Sequence, residues 1–129
     1  MLRRLTVFVC CCVLGACMST SASLTPSEQA MFNSMIPVCE GEADCKVKWE
    51  AAQLWLTDLC GYKLQTVTDV ILETYPSNDF RLAGRVTKEP LGNGRYRILV
   101  FFWCSHTSCT PTVQNAGITF NSRVGAARP

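Results

Sequence analysis

The sequence predicts a small α+β domain of two layers, ordered α-β-β-β-α, with a three-stranded antiparallel sheet stapled by disulfides. Three observations point there. From about Ala43 to Leu59, apolar residues recur every three or four positions, the period of a helix with one buried stripe. From Tyr62 to Cys104 the chain is rich in β-branched and aromatic residues and is interrupted by the turn-forming stretches PSND and EPLGNG, a pattern of successive strands. The chain also has nine cysteines in 129 residues, and disulfides support small exported domains whose cores are limited.

The chain begins with Arg3 and Arg4, followed by LTVFVCCCVLGA, twelve residues without a charge. A membrane-spanning helix needs about 20 apolar residues, so this run is too short to anchor the protein alone. A charged start, a short apolar middle and small residues at the end follow the order of a secretory signal. Leu14, Gly15, Ala16 and Cys17 resemble a bacterial lipobox. That resemblance implies acylation of the Cys17 thiol, cleavage before it, and acylation of the new amino terminus. A single acyl chain, at about 0.8 kcal/mol per buried methylene, holds a protein only marginally, whereas several chains hold it stably. Residues 1–16 are then a lipoprotein signal peptide and 17–25 a small, polar, lipidated tether. Residues 26–124 form one domain and 125–129 a frayed tail. Met18, rather than an aspartate, follows Cys17; by the rule of that signal family, the protein goes to the outer membrane and faces the periplasm. The alternative is ordinary cleavage after Thr20–Ala22, which releases a soluble periplasmic protein. Cys10, Cys11 and Cys12 leave with the signal in either case.

In the domain, Thr25-Pro26 with Glu28 is a helix start, with the cap, the first-turn proline and the reciprocal acid in place. Ala30, Met31, Met35 and Ile36 give the short helix an apolar side before Pro37. In the second helix, Cys45, Trp49, Ala52, Leu56 and Leu59 form the stripe, while Lys46, Lys48, Glu50 and Asp58 take the other side. Glu42 and Asp44 lie at its positive end, and Gly61 stops it. Tyr62–Tyr75 reads as one strand whose alternation slips near Val67–Val70, as at a bulge. Phe80, Leu82, Gly84 and Val86 alternate with polar or small residues in a half-buried strand. Asn93-Gly94 suits a tight hairpin. RYRILVFFWC ends apolar on both sides, as in a strand covered on both faces. After Thr110-Pro111, Val113, Ala116, Phe120 and Val124 fit a helix. Ile118, Phe120 and Val124 also fit a strand; the proline start favours the helix.

Five cysteines besides Cys17 remain after cleavage. Pairing of Cys39 with Cys45 and of Cys104 with Cys109 is the first choice because the partners are close in sequence; crossed pairing is the alternative. Cys60 is left over, as a buried apolar residue. The stretches CEGEADCKVKWEAAQLW, GYKLQTVTDVILETY, VTKEPLGNGRYRI and the WC….C motif resemble a family of small proteobacterial exported proteins or lipoproteins, over roughly Cys39 to Val124. The resemblance implies the domain boundaries and the paired cysteines, and implies no catalytic role.

Removing Arg3 and Arg4 brings the formal charge from +2 to zero, which leaves no global basic excess for nucleic acid. The first half of the domain is acidic and the second basic. Either the two halves pack with complementary surfaces, or the basic hairpin Arg81, Arg85, Lys88, Arg95 and Arg97 meets an envelope partner; the hairpin is the candidate partner-binding surface. Cys104, His106 and Cys109 have metal-ligand chemistry, but thiols in an oxidising compartment form disulfides first, so neither a metal nor a cofactor is expected. His106 has no serine elbow or partnered acid in the sequence, and a hydrolytic role for it is the enzyme alternative. Neither cysteine pair has thioredoxin spacing, and the acids Glu40, Glu42 and Asp44 do not follow an EF-hand pattern. Trp49, Trp55 and Trp103 suit a core better than a ligand groove. The expectation is a non-enzymatic, membrane-anchored binding or structural protein of the cell envelope.

Overall fold

The computed structural model describes residues 25–129; the expected signal peptide, the expected lipid-bearing Cys17 and the expected tether as far as Leu24 lie outside the described residues. In chain order the elements are α1 (Pro26–Ser34), β1 (Val38–Glu40), α2 (Gly41–Cys60), β2 (Leu64–Val67), β3 (Ile71–Thr74), β4 (Leu82–Gly92), β5 (Arg95–Cys104) and α3 (Val113–Ala126). One antiparallel sheet runs β1-β5-β4-β3-β2. Helices α2 and α3 pack on one of its faces. Leu72, Leu82, Val86, Ile98 and Phe102 of the sheet meet Ala52, Leu56, Ala116, Phe120 and Val124 of the helices in the core.

The α+β class is as the sequence predicts, but the sheet has five strands rather than three. Two causes account for the difference. Val38–Glu40 is a three-residue edge strand beside Arg95–Arg97, too short to show a period. Tyr62–Tyr75 is two strands, and the slip near Val67–Val70 is the turn between them. There the Thr68 hydroxyl accepts from the backbone N–H groups of Val70 and Ile71, at 3.2 and 2.9 Å, and Thr68 N–H donates to the Ile71 carbonyl at 2.9 Å. A smaller register shift lies between Leu64 and Thr66.

Most local signals act as expected. The Thr25 hydroxyl accepts from the Glu28 N–H while the Glu28 carboxylate accepts from the Thr25 N–H at 2.8 Å. Hydrogen bonds to the Glu28 carboxylate from the Thr25 N–H and then from the Thr25 hydroxyl hold that carboxyl below its usual range. α1 nevertheless buries none of its side chains fully. Gly61 ends α2 with φ +63°, the left-handed backbone conformation that favours glycine. Asn93 and Gly94, at φ +54° and +70°, make the two-residue turn between the paired Gly92 and Arg95. α3 is a helix capped by Thr112 and runs to Ala126, into the expected tail.

Lys48 departs from its expected place on the polar side of α2. It is buried, and its ammonium donates to the Val38 carbonyl at 3.0 Å and to Asp44 at 2.8 Å. The stem covers core surface while the head reaches backbone and carboxylate. Disulfides join Cys39 to Cys45 and Cys104 to Cys109, the local pairing. Cys60 is free and fully buried, and burial pushes its thiol up to about 12. A raised thiol stays protonated where an unfolded one ionises, so Cys60 contributes stability that falls as pH rises from about 9 towards 12. In the native protein at pH 8, iodoacetamide is expected to leave Cys60 unmodified by mass spectrometry, and to label it only in denaturant. Rapid labelling without denaturant would show an open path to the thiol.

Candidate binding groove

The first half of α2 and the β4–β5 hairpin enclose a groove of about 580 Å³. Local chemistry sets its walls. The Cys39–Cys45 disulfide ties β1 to the first turns of α2. The Gly41 N–H donates to the Gly94 carbonyl at 3.0 Å, fastening the helix start to the hairpin tip. Helical spacing then lines Glu42, Lys46, Trp49 and Glu50 along one flank, with Asp69 from the β2–β3 turn beside them. Lys88 and Tyr96 complete the groove from the sheet. Lys88 pairs with the buried Ile98, so both face the helix layer.

The Lys88 ammonium lies 5.1 Å from the Trp49 ring centroid and 5.5 Å from that of Tyr96. A cation on aromatic faces is attracted by about 0.5–2 kcal/mol, more as water is excluded. The Trp49 indole N–H donates to the Thr68 carbonyl at 3.3 Å, which fixes the ring. Among the described residues Lys88 has no carboxylate within ion-pair distance. The groove therefore offers an ammonium with free donors, two flat apolar faces, and a rim of Glu42, Glu50 and Asp69. These can hold a polar ligand or an extended segment in place.

The five basic residues expected to act together do not share a surface. Lys88 turns into the groove. Arg85 and Arg97 lie on the opposite face of the sheet, bound to Glu73 at 2.6 Å and Glu89 at 2.8 Å. Arg95 stands opposite Glu40 across the β1–β5 pair. Arg81 precedes β4, 2.7 Å from Asp79 and over the Tyr62 ring. Hydrogen bonds from Arg81 and then from the Tyr62 hydroxyl hold the Asp79 carboxyl well below its usual range. Alternation along the strands separates the set: odd and even positions of β4 and β5 belong to different faces.

His106 is exposed and stacks on Phe80 with ring centroids 4.5 Å apart. Cys104 and Cys109 are joined to each other, and among the described residues no three His, Cys, Asp or Glu side chains gather as metal ligands. Trp55 packs edge-on to Phe120, and Trp103 stacks with Phe101 on the outer face of the sheet.

Comparison with protein-family models, with curated proteins and with solved structures finds no match to this chain. The groove is thus the feature on which a functional reading rests. In the sequence, Lys46 falls on the polar side of a helix, Tyr96 in a strand and Trp49 in an apolar core stripe, with nothing that unites them. One signal marked the groove: Lys88 continues the inward positions Leu82, Gly84 and Val86, and a lysine there must find a particular environment.

Proposed function

We propose that this chain is a lipoprotein of the bacterial outer membrane, facing the periplasm, which acts by binding and not by catalysis. Leu14 to Cys17, behind a short apolar run, supports the anchor; the following Met18 supports the outer membrane. The observation that carries the binding role is the half-buried Lys88, set between Trp49 and Tyr96 with no carboxylate partner among the described residues. A cation presented on aromatic walls recognises groups that accept hydrogen bonds, and the acidic rim adds a place for an amine.

Two measurements test this. Intact mass spectrometry of the membrane-extracted protein is expected to show a chain starting at an acylated Cys17, with the mass loss of two disulfides. A non-acylated chain cut beyond Ala22 would remove the anchor. In cells, a photo-crosslinking residue at position 46 is expected to give a specific adduct that disappears in Lys88→Glu while the amount of protein stays constant. The same adduct with and without the Lys88 charge would exclude the groove as the binding surface.

A further inference from the structure

β5 is apolar on both sides, yet α2 and α3 cover only one. Ile98 and Phe102 point into the core. Leu99, Phe101 and Trp103 alternate with them and so lie on the other face. Phe101 is 66% exposed and stacks with Trp103 at 5.9 Å. The pairing register adds Val38 and Ile71 to the same face. An antiparallel sheet with one face in water normally makes that face polar, so the apolar centre requires a cover.

The charges on this face indicate what the cover is. Two of the face's arginines are ion-paired across the strands, Arg85 with Glu73 and Arg97 with Glu89, and Arg95 stands opposite Glu40 in the β1–β5 register. The face is therefore neutral, attracts neither a basic nor an acidic partner by net charge, and does not repel its own copy. Aromatic residues with arginines around them are the composition of interface centres. At about 4.8 Å between strands and about 3.3 Å per residue, the face spans roughly 500 Å². Two such faces bury roughly 1,000 Å², the lower bound for a specific contact.

We propose that this face is a two-fold interface with a second copy of the chain, two sheets packing face to face around Phe101 and Trp103. Sheets in this arrangement stack about 10 Å apart with strand directions about 30° apart, and a two-fold contact uses the same patch from both copies. The area makes the dimer reversible rather than permanent. The proposal is independent of the groove and of the lipid.

Native mass spectrometry of the full chain extracted from membranes tests it. Wild type is expected to show a dimer, and Phe101→Glu to weaken it at least tenfold with an unchanged melting temperature. Leu54→Glu, on the exposed side of α2, is expected to leave the dimer intact. A photo-crosslinking residue at position 101 in the intact membrane is expected to give an adduct of twice the monomer mass. A wild-type monomer, equal effects of both substitutions, or adducts at position 101 only with lipid or with a different protein would each overturn the proposal.

Discussion

Reduction of both disulfides is expected to lower the melting temperature by about 20 °C. The Cys39–Cys45 and Cys104–Cys109 loops are short, with sequence separations of 6 and 5. By the loop-closure relation each restricts the unfolded chain by only about 2 kcal/mol. That is still large beside the total stability of a domain this size, of order 5–15 kcal/mol. The bridges sit at opposite ends of β5: Cys39 pairs with Tyr96, and Cys104 ends the strand, a distance of about 26 Å at the usual rise per residue. Sites so far apart contribute additively. Cys39→Ala with Cys45→Ala, and Cys104→Ala with Cys109→Ala, are therefore each expected to cost about 10 °C, and the fourfold variant their sum. Calorimetry of the four proteins checks this. A combined loss below about 5 °C would show that the apolar core alone holds the domain. The first pair has a second, functional readout. It fixes β1 against the start of α2, so its loss is expected to abolish crosslinking from position 46 even below the melting temperature.

The legible parts of this fold are those with long periods or single-residue chemistry. α2 repeats its stripe over 20 residues, Gly61 and Thr25 mark helix ends, and the close cysteines choose each other. The parts not legible depend on distant partners. Three residues at Val38 become a strand only because β5 offers them an edge. Thr68 reverses the chain with hydrogen bonds that a slipped alternation does not distinguish from a bulge. The two-sided apolarity of β5 predicts a strand covered on both faces, but the helix layer covers only one, and Phe101 on the other is exposed. For the groove, parity continued from Val86 puts Lys88 inward, against its expected place on a shared basic surface, and its neighbours come from three segments. Only the disulfide, the Gly41–Gly94 bond and the hairpin register bring Trp49 and Tyr96 to it. The five basic residues divide for the same reason: Lys88 lies on the inner face and Arg85, Arg95 and Arg97 on the outer one, since adjacency in a hairpin does not mean a shared face.

Phe120→Ala is expected to destabilise the domain by about 3–5 kcal/mol, lowering the melting temperature by about 15–25 °C. Phe120 is fully buried where α3 meets both α2 and β5. Its ring stands edge-on to Trp55 at 6.2 Å and to Phe102 at 6.3 Å. Truncation removes both aromatic contacts, each about 0.5–1.5 kcal/mol beyond burial, and leaves a cavity that the rigid sheet cannot close. Phe120→Leu is expected to recover more than half of the loss, because volume rather than aromaticity dominates. The companion substitutions separate the two patterns that the sequence allowed. On a helix, Ala116, Phe120 and Val124 share the core face, and all three are buried. Ile118, only half-buried, would share a face with Phe120 on a strand. Ile118→Ala is thus expected to cost well under half as much as Phe120→Ala, and Val124→Ala more than Ile118→Ala after allowing for side-chain size. Equal costs at Ile118 and Phe120 would mean a period of two, and with it a sixth strand in place of α3. The measured order across these positions tests the helix itself, since an alanine at Phe120 alone reports burial without saying what kind of element buries it.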